Sequence, residues 1–178
     1  MNKFEIQSYK LTTERLRLSI IGRSDADDVF MTMNDQNVAE SISFLTWPMT
    51  RMQTNQWIEK SENGVRDKTE YLFIAHDHDG RPVGCFGVHP RGTQRCEIGY
   101  WVCADRQGQG YATEMAAAAI KFAFEQLGVH GVWATAGFTN DSSQRVLEKQ
   151  GMRRNGIKNI RTAKDMDVEC HVYELNKC

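Results

Sequence analysis

The segment Arg106-Gln107-Gly108-Gln109-Gly110-Tyr111-Ala112 constrains this chain more than any other. It joins a strand-like run, Glu97 to Val102, to an alanine-rich run with helical spacing, Thr113 to Leu127. Paired glycines at such a junction let the backbone turn tightly and approach a ligand with no Cβ in the way. The helix that follows offers N–H groups without internal acceptors, and the positive end of its dipole. The segment is suited to holding an anion, and a phosphate is the natural guest.

Spacing separates the known phosphate loops. A Walker loop requires Lys followed by Ser or Thr after its last glycine, but Tyr111 and Ala112 follow Gly110. A dinucleotide fingerprint requires a third glycine or alanine where Thr113 stands, and it belongs to an early strand of a long α/β alternation. The pattern that fits is Gln/Arg-x-x-Gly-x-Gly/Ala, met by Gln107, Gly110 and Ala112. It resembles the pyrophosphate loop of the GNAT N-acetyltransferase superfamily. A plain tight turn would also use paired glycines, so the rest of the chain matters. The segments Leu11 to Leu18, Trp47-Pro48-Met49-Thr50, Glu97-Ile98-Gly99-Tyr100-Trp101-Val102, Asn140-Asp141-Ser142-Ser143 and Glu148 to Met152 resemble the Rim-type branch, the ribosomal-protein alanine N-acetyltransferases and their relatives.

Periodicity places the elements. Leu16, Leu18 and Ile20 alternate with polar neighbours, which predicts a first strand. Ser24-x-x-Asp27 opens a helix to about Asn34, and Thr50-x-x-Gln53 opens a second that stops at Gly64. Ser41 to Pro48 is a loop between them, carrying Phe44 and Trp47. Strands follow at Glu70 to His76, Pro82 to His89 and up to Val102, with a hairpin turn at Asp79-Gly80. The helix Ala112 to Leu127, a strand from Val129 to Thr135, a short helix capped by Asn140 and ending at Gly151, and strands at Met152 to Ile160 and Met166 to Leu175 complete the chain. The order β-α-α-β-β-β-α-β-α-β-β is that of the acyl-CoA N-acyltransferase (GNAT) fold. This α/β fold is a single mixed, mainly antiparallel twisted sheet flanked by helices.

At 178 residues, 1-178 reads as one domain. The formal charge is -1, with 22 basic and 23 acidic side chains well mixed, so neither nucleic acid nor an anionic membrane is an expected partner. Apolar runs are too short to span a bilayer, and Met1-Asn2-Lys3-Phe4 does not lead into a signal peptide, so a cytoplasmic location is expected. Cys85, Cys96, Cys103, Cys170 and Cys178 form no C-x-x-C pair and read as reduced thiols, with no metal site. His76-x-His78 lacks a third ligand nearby in sequence, and Asp77-x-Asp79-Gly80 lacks the closing glutamate of a calcium loop.

The resemblance implies acetyl-CoA as cosubstrate, with its pyrophosphate on Gln107, Gly108, Gln109, Gly110, Tyr111 and Ala112. The pantetheine arm would pair with the strand near Trp101, Val102 and Cys103. A bulge at Gly99 would splay neighbouring strands and admit the thioester. Attack by an amine needs a base, and Glu97 matches the family's Glu-Ile-Gly-Tyr glutamate; a structural, solvent-facing Glu97 is the alternative. Asn140 would bind pantetheine and Ser143 the departing sulfur, although Asn followed by Ser is also an ordinary helix start. Relatives use a tyrosine on this helix as the acid, but none lies between Tyr111 and Tyr173. His89 is a second base candidate, and Cys103 has no sequence feature that would activate it. The expected acceptor is a primary amine, foremost a protein N-terminus, with small-molecule amines and a noncatalytic acyl-CoA-binding module as alternatives. Phe44, Trp47 and the segment Asn159 to Asp165 are the expected specificity elements. The sequence leaves a homodimer open.

Overall fold

The central strands Tyr71–His76 and Pro82–Arg91 are buried on both sides while the strand Arg153–Arg161 is almost wholly exposed, and the two faces of one sheet collect the two halves of the core. The computed structural model describes residues 9–177; the opening segment read at Met1 to Phe4, and Cys178, lie outside them. The elements are β1 (Lys10–Thr12), β2 (Arg17–Ile20), α1 (Ala26–Met33), α2 (Gln36–Ser41), α3 (Arg51–Arg66), β3 (Tyr71–His76), β4 (Pro82–Arg91), β5 (Arg95–Val102), α4 (Tyr111–Glu125), β6 (Gly131–Gly137), α5 (Asp141–Lys149), β7 (Arg153–Arg161) and β8 (Asp167–Asn176). They build an eight-stranded sheet in the order β1-β2-β3-β4-β5-β6-β8-β7. Only β5 and β6 run parallel.

One face packs on α4 and α5. Phe73 stacks on Phe86 at 4.7 Å, Phe122 of α4 meets Phe73 edge-on at 5.0 Å, and Met115, Ala119 and Ala123 are fully buried beneath that helix. Small residues at these helical positions let α4 lie close to the sheet. The other face packs on α1 to α3, with Val29, Met33, Val38 and Ile58 against Leu72, Ile74, Cys85 and Trp101. Gly84 marks the tightest backbone contact: a Cβ there would stand 2.2 Å from the Trp101 carbonyl oxygen.

Several expectations need correction. The sheet gains β1, whose three residues are too few to show a period, and the helices gain α2. Asp35 starts α2 by accepting from the N–H groups of Asn37 (2.9 Å) and Val38 (3.1 Å), a cap hidden inside a segment with little periodicity. The first helix opens two residues early, through a 3-10 turn in which Asp25 accepts from the Gly22 N–H at 2.8 Å. Gly64 does not stop α3. It lies inside the helix, where a Cβ would sit 2.7 Å from that of Glu70, and the left-handed residue after the helix is Lys68, at φ 59°. Thr50 and Gln53 form the expected reciprocal cap.

The expected bulge at Gly99 is absent, since β4 and β5 pair without interruption from Arg91↔Arg95 to Gly84↔Val102. The strands diverge elsewhere. β6 pairs with β5 only at Arg95↔Gly131, Cys96↔Val132 and Glu97↔Trp133, and with β8 on its other edge from Gly131 to Gly137. Beyond Glu97 the β6-facing edge of β5 has no strand partner.

Candidate active site

The junction glycines adopt left-handed conformations, Gly108 at φ 74° and Gly110 at φ 84°. Gly110 is the N-cap of α4 and has no side chain to cap with, so the first-turn N–H groups face outward at the positive end of the dipole. Gln107 Nε2 donates to the Val102 carbonyl (3.2 Å) and Gln109 Nε2 to the Asp105 carbonyl (3.2 Å), which brace the loop from both sides. Tyr111 and Ala112 open the helix and are half-buried.

A cation beside this cradle was not assigned from the sequence. Arg15 donates through Nη1 to the Gln109 carbonyl (2.9 Å) and lies over the Tyr111 ring at 4.5 Å. Its Nε donates to Glu114 at 2.8 Å, and its backbone N–H donates to the same carboxylate at 2.9 Å. Thr13 adds a short hydroxyl bond to Glu114. The signal was present in Leu11 to Leu18, a segment that carried the resemblance without a role for its arginine. Burial would raise the Glu114 carboxyl, but the bonds from Thr13 and Arg15 outweigh it and hold the group below its ordinary range.

On the α1-to-α3 side, one rung of the sheet is polar. His89 stands directly opposite Glu97, and Glu97 opposite Trp133. Arg91 binds the Glu97 carboxylate, with Nη2 at 2.9 Å and Nε at 3.1 Å. The next rung is Leu72, Gly87 and Gly99, and a Cβ on Gly99 would meet nothing within 4 Å. The rung beyond that is apolar: Ile74, Cys85 and Trp101. Trp101 donates its indole N–H to Thr32 (3.2 Å) and meets Trp57 at 5.9 Å and Phe44 at 6.1 Å. A glycine floor thus lies between a polar wall and an aromatic one, beside the point where β5 and β6 diverge.

Phe44 is 51% exposed and stacks on Trp57 at 6.3 Å; Trp47, 45% exposed, stands three residues on in the same loop. The Ala163 N–H donates to the Ser43 carbonyl at 2.6 Å, so the β7–β8 tip docks on this loop. The two segments expected to set specificity therefore meet.

On the opposite face, Asn140 caps α5 by accepting from the Ser143 N–H at 3.1 Å. The Ser143 hydroxyl lies 3.1 Å from that of Tyr100, which reaches it from β5. A tyrosine is thus delivered by the strand and not by the helix, a meeting that the sequence did not reveal. Burial pushes the Tyr100 phenol up to about 12, partly offset by its bond to Ser143. Cys103 donates its backbone N–H to the Val83 carbonyl at 2.9 Å. By strand alternation Ile98, Tyr100 and Val102 direct their backbone groups to the open edge, while Trp101 and Cys103 direct theirs to β4. Burial pushes the Cys103 thiol up to about 11, which keeps it protonated and a weak nucleophile. Among the described residues no group of three or more His, Cys, Asp or Glu side chains is placed to hold a metal, and no helix is long and apolar enough to cross a membrane.

The family described as acetyltransferase (GNAT) domain matches residues 15–153, most of the chain. This chain belongs to the GNAT acetyltransferases. The uncharacterized N-acetyltransferase YnaD of Bacillus subtilis (strain 168) is 30% identical over 152 residues, 83% of this chain and 84% of the relative. The ribosomal-protein-S5-alanine acetyltransferase of Vibrio fischeri shares the fold at 16% identity, with a TM-score of 0.82 over 94% of this chain and 96% of that one. The spermidine N-acetyltransferase of Vibrio cholerae, in complex with CoA and spermine, does so at 16% identity, with a TM-score of 0.78 over 92% and 96%. The acetyltransferase takes acetyl-CoA as its cosubstrate.

Replacing Glu114 with Gln in this acetyltransferase removes charge-assisted bonds from Arg15 and Thr13. It should cost about 1–3 kcal/mol in urea unfolding at neutral pH. A carboxyl depressed in the folded state stabilises fully above its unfolded value, about 4.3, and loses that contribution as pH falls through the folded value. The gap between parent and variant should therefore close on acidification through that window; a gap constant with pH would remove the charge from the account.

The Gly110→Val change puts a branched side chain at φ 84° in the cradle. It should weaken coenzyme A binding by calorimetry at least about thirtyfold, through strain of roughly 2 kcal/mol and lost backbone approach. Parent-like affinity in a folded variant would place the pyrophosphate elsewhere.

Proposed function

We propose that the chain works as a single catalytic unit that transfers the acetyl group of acetyl-CoA to a primary amine by direct attack in a ternary complex. The acceptor we propose is the α-amino group of a protein N-terminus. The observation that carries this reading is the open space over Gly99, which lies next to the divergence of β5 and β6. The pyrophosphate sits on Gln107 to Ala112 with Arg15 alongside. The pantetheine arm runs along the open edge of β5, where Ile98, Tyr100 and Val102 offer backbone groups and Asn140 offers its side-chain amide.

The acceptor enters from the other face, under Phe44 and Trp47. A terminal amine arrives as ammonium, and the carboxylate of Glu97 draws it to the rung beside the thioester. Across the sheet Ser143, oriented by Tyr100, donates a hydrogen bond to the sulfur as it leaves. Such a bond strengthens as the carbon–sulfur bond breaks and so stabilises the transition state more than the ground state. Support for a peptide acceptor comes from the exposed aromatics at the entrance and from the fold shared with a ribosomal-protein acetyltransferase. A polyamine is the second reading, since the acidic rung and the fold of the spermidine enzyme also suit one.

A library of short peptides with free N-termini, run beside spermidine and free amino acids with acetyl-CoA, separates these readings by mass spectrometry. Acetylated α-amino groups are expected. Acetylation of spermidine alone would replace the first acceptor by the second, and no product with any amine would leave a coenzyme A binding module.

In the same assay Glu97→Gln should lower kcat/KM for the best acceptor at least about tenfold, the loss of one charge-assisted contact. Coenzyme A affinity should stay unchanged. A parent-like kcat/KM would make Glu97 a structural partner of Arg91.

A further inference from the structure

His89 and Glu70 form a pair outside the groups already placed in the reaction. Tyr71 pairs with Val88, so Glu70, one residue ahead of β3, extends the polar rung onto a third strand beside His89. Nδ1 of His89 lies 3.2 Å from Oε1 of Glu70, and both side chains are about one quarter exposed. The ring leans back along β4, placing Nε2 over Gly87: a Cβ on that glycine would stand 2.5 Å from Nε2. Gly87 is the partner of Gly99, on whose face the space is open. One nitrogen is therefore held by a carboxylate while the other is aimed at the floor that receives the amine. The other described imidazoles are placed elsewhere: His76 binds Asp28, His78 the Glu14 carbonyl, His171 stacks on Phe138 across the sheet, and His130 is exposed just ahead of β6.

We propose that the Glu70–His89 pair is the general base of the acetyl transfer, with Nε2 of His89 taking the proton from the acceptor ammonium and Glu70 as the positioning residue. The inference rests on the reading that an amine enters over this face. A base works best when its conjugate acid titrates near the working pH, and an ordinary imidazole, at about 6.5, is nearer than an ordinary carboxylate, at about 4.3. Glu97, with both contacts to Arg91, attracts the cation, and His89 receives its proton.

The balance closes in three movements. The ammonium gives one proton to bare Nε2. The neutral amine attacks the thioester carbonyl, forming the carbon–nitrogen bond and expelling the thiolate. The second amine proton passes to the sulfur, and His89 returns its proton to solvent, giving amide, coenzyme A thiol and one released proton. Glu70 keeps Nδ1 protonated, so that Nε2 stays the acceptor. The bond to His89 first, and the charge of His89, hold the Glu70 carboxyl below its usual range, although burial pushes the other way.

Two measurements test the pair. With the fastest acceptor peptide of the library, His89→Ala should lose about 10²- to 10⁴-fold in kcat at unchanged coenzyme A affinity, and added imidazole should restore a fraction of that rate. His89→Gln should show the same loss without rescue. Glu70→Gln should lose less and retain wild-type acetyl-CoA affinity. Parent-like turnover in either His89 variant overturns the proposal, as does a loss that imidazole leaves untouched in His89→Ala.

Nitrogen-15 NMR of the coenzyme A complex reads the tautomer without any turnover. The Nδ1–H form is expected in the parent and a mixture in Glu70→Gln; an Nε2–H form in the parent overturns the proposal. Absence of product with every amine in the parent would instead fall on the acetyl-transfer reading, and the tautomer would still decide the pair.

Discussion

Three rungs of parallel pairing join β5 to β6, and the chemistry of the molecule depends on the ladder ending there. A buried strand edge must find partners for its N–H and C=O groups, and a sheet normally supplies them. Here β5 keeps β4 along its whole length but loses β6 after Glu97, while β6 stays paired with β8 on its other edge over all seven rungs. The released edge suits an extended ligand rich in amides, which is what a pantetheine arm is. No bulge or strained residue is needed to open it. The two strands part while each keeps its outer neighbour, β5 with β4 and β6 with β8.

The same strand delivers groups to both faces. Alternation sends Tyr100 toward α5, where it meets Ser143, and sends Glu97 and Trp101 toward α1 to α3. Leaving sulfur and incoming amine are thereby served from opposite sides of a single strand. The cradle is fixed less directly. Arg15, at the entry to β2, clamps Glu114 in α4 and the Gln109 carbonyl, so the loop is tied to the N-terminal edge of the fold as well as to β5. A loop with two left-handed glycines is floppy on its own; that clamp and the two glutamine braces give it one shape.

Local chemistry was legible in the sequence, and contact between distant segments was not. The cradle could be read because Gly108 and Gly110 sit at a strand-to-helix junction whose spacing is self-contained. The reciprocal cap at Thr50 and Gln53, and the cap of Asn140 on α5, could be read for the same reason. Gly64 misled because a glycine late in a helix pattern looks like an end, whereas the demand was room for Glu70 six residues later. Gly99 misled in a related way. Its lack of a side chain clears a floor and does not bend the strand, a difference that depends on what packs above it. Tyr100 and Ser143 lie 43 residues apart and Arg15 and Glu114 lie 99 apart, so neither meeting leaves a trace in any local window.

Charge on the polar rung shows why the site needs a destination for a proton. Glu70 and Glu97 carry two negative charges, Arg91 one positive, and His89 is neutral when it can act. Those four groups alone sum to minus one; Lys60 also acts on Glu70 and Lys158 lies over the Trp133 ring, so the pull on an arriving ammonium is local to the two carboxylates. An ammonium has no lone pair and cannot attack a thioester. Attraction therefore selects the unreactive form of the acceptor, and only a group that removes the proton on the spot converts that selection into catalysis. Beyond the glycine floor, the indole and phenyl rings of Trp101, Trp57 and Phe44 lower the local polarity, which makes the neutral amine easier to hold than its cation. An amine drawn in by the polar wall and discharged there becomes a better guest of the aromatic one, and that shift carries its lone pair toward the gap between β5 and β6.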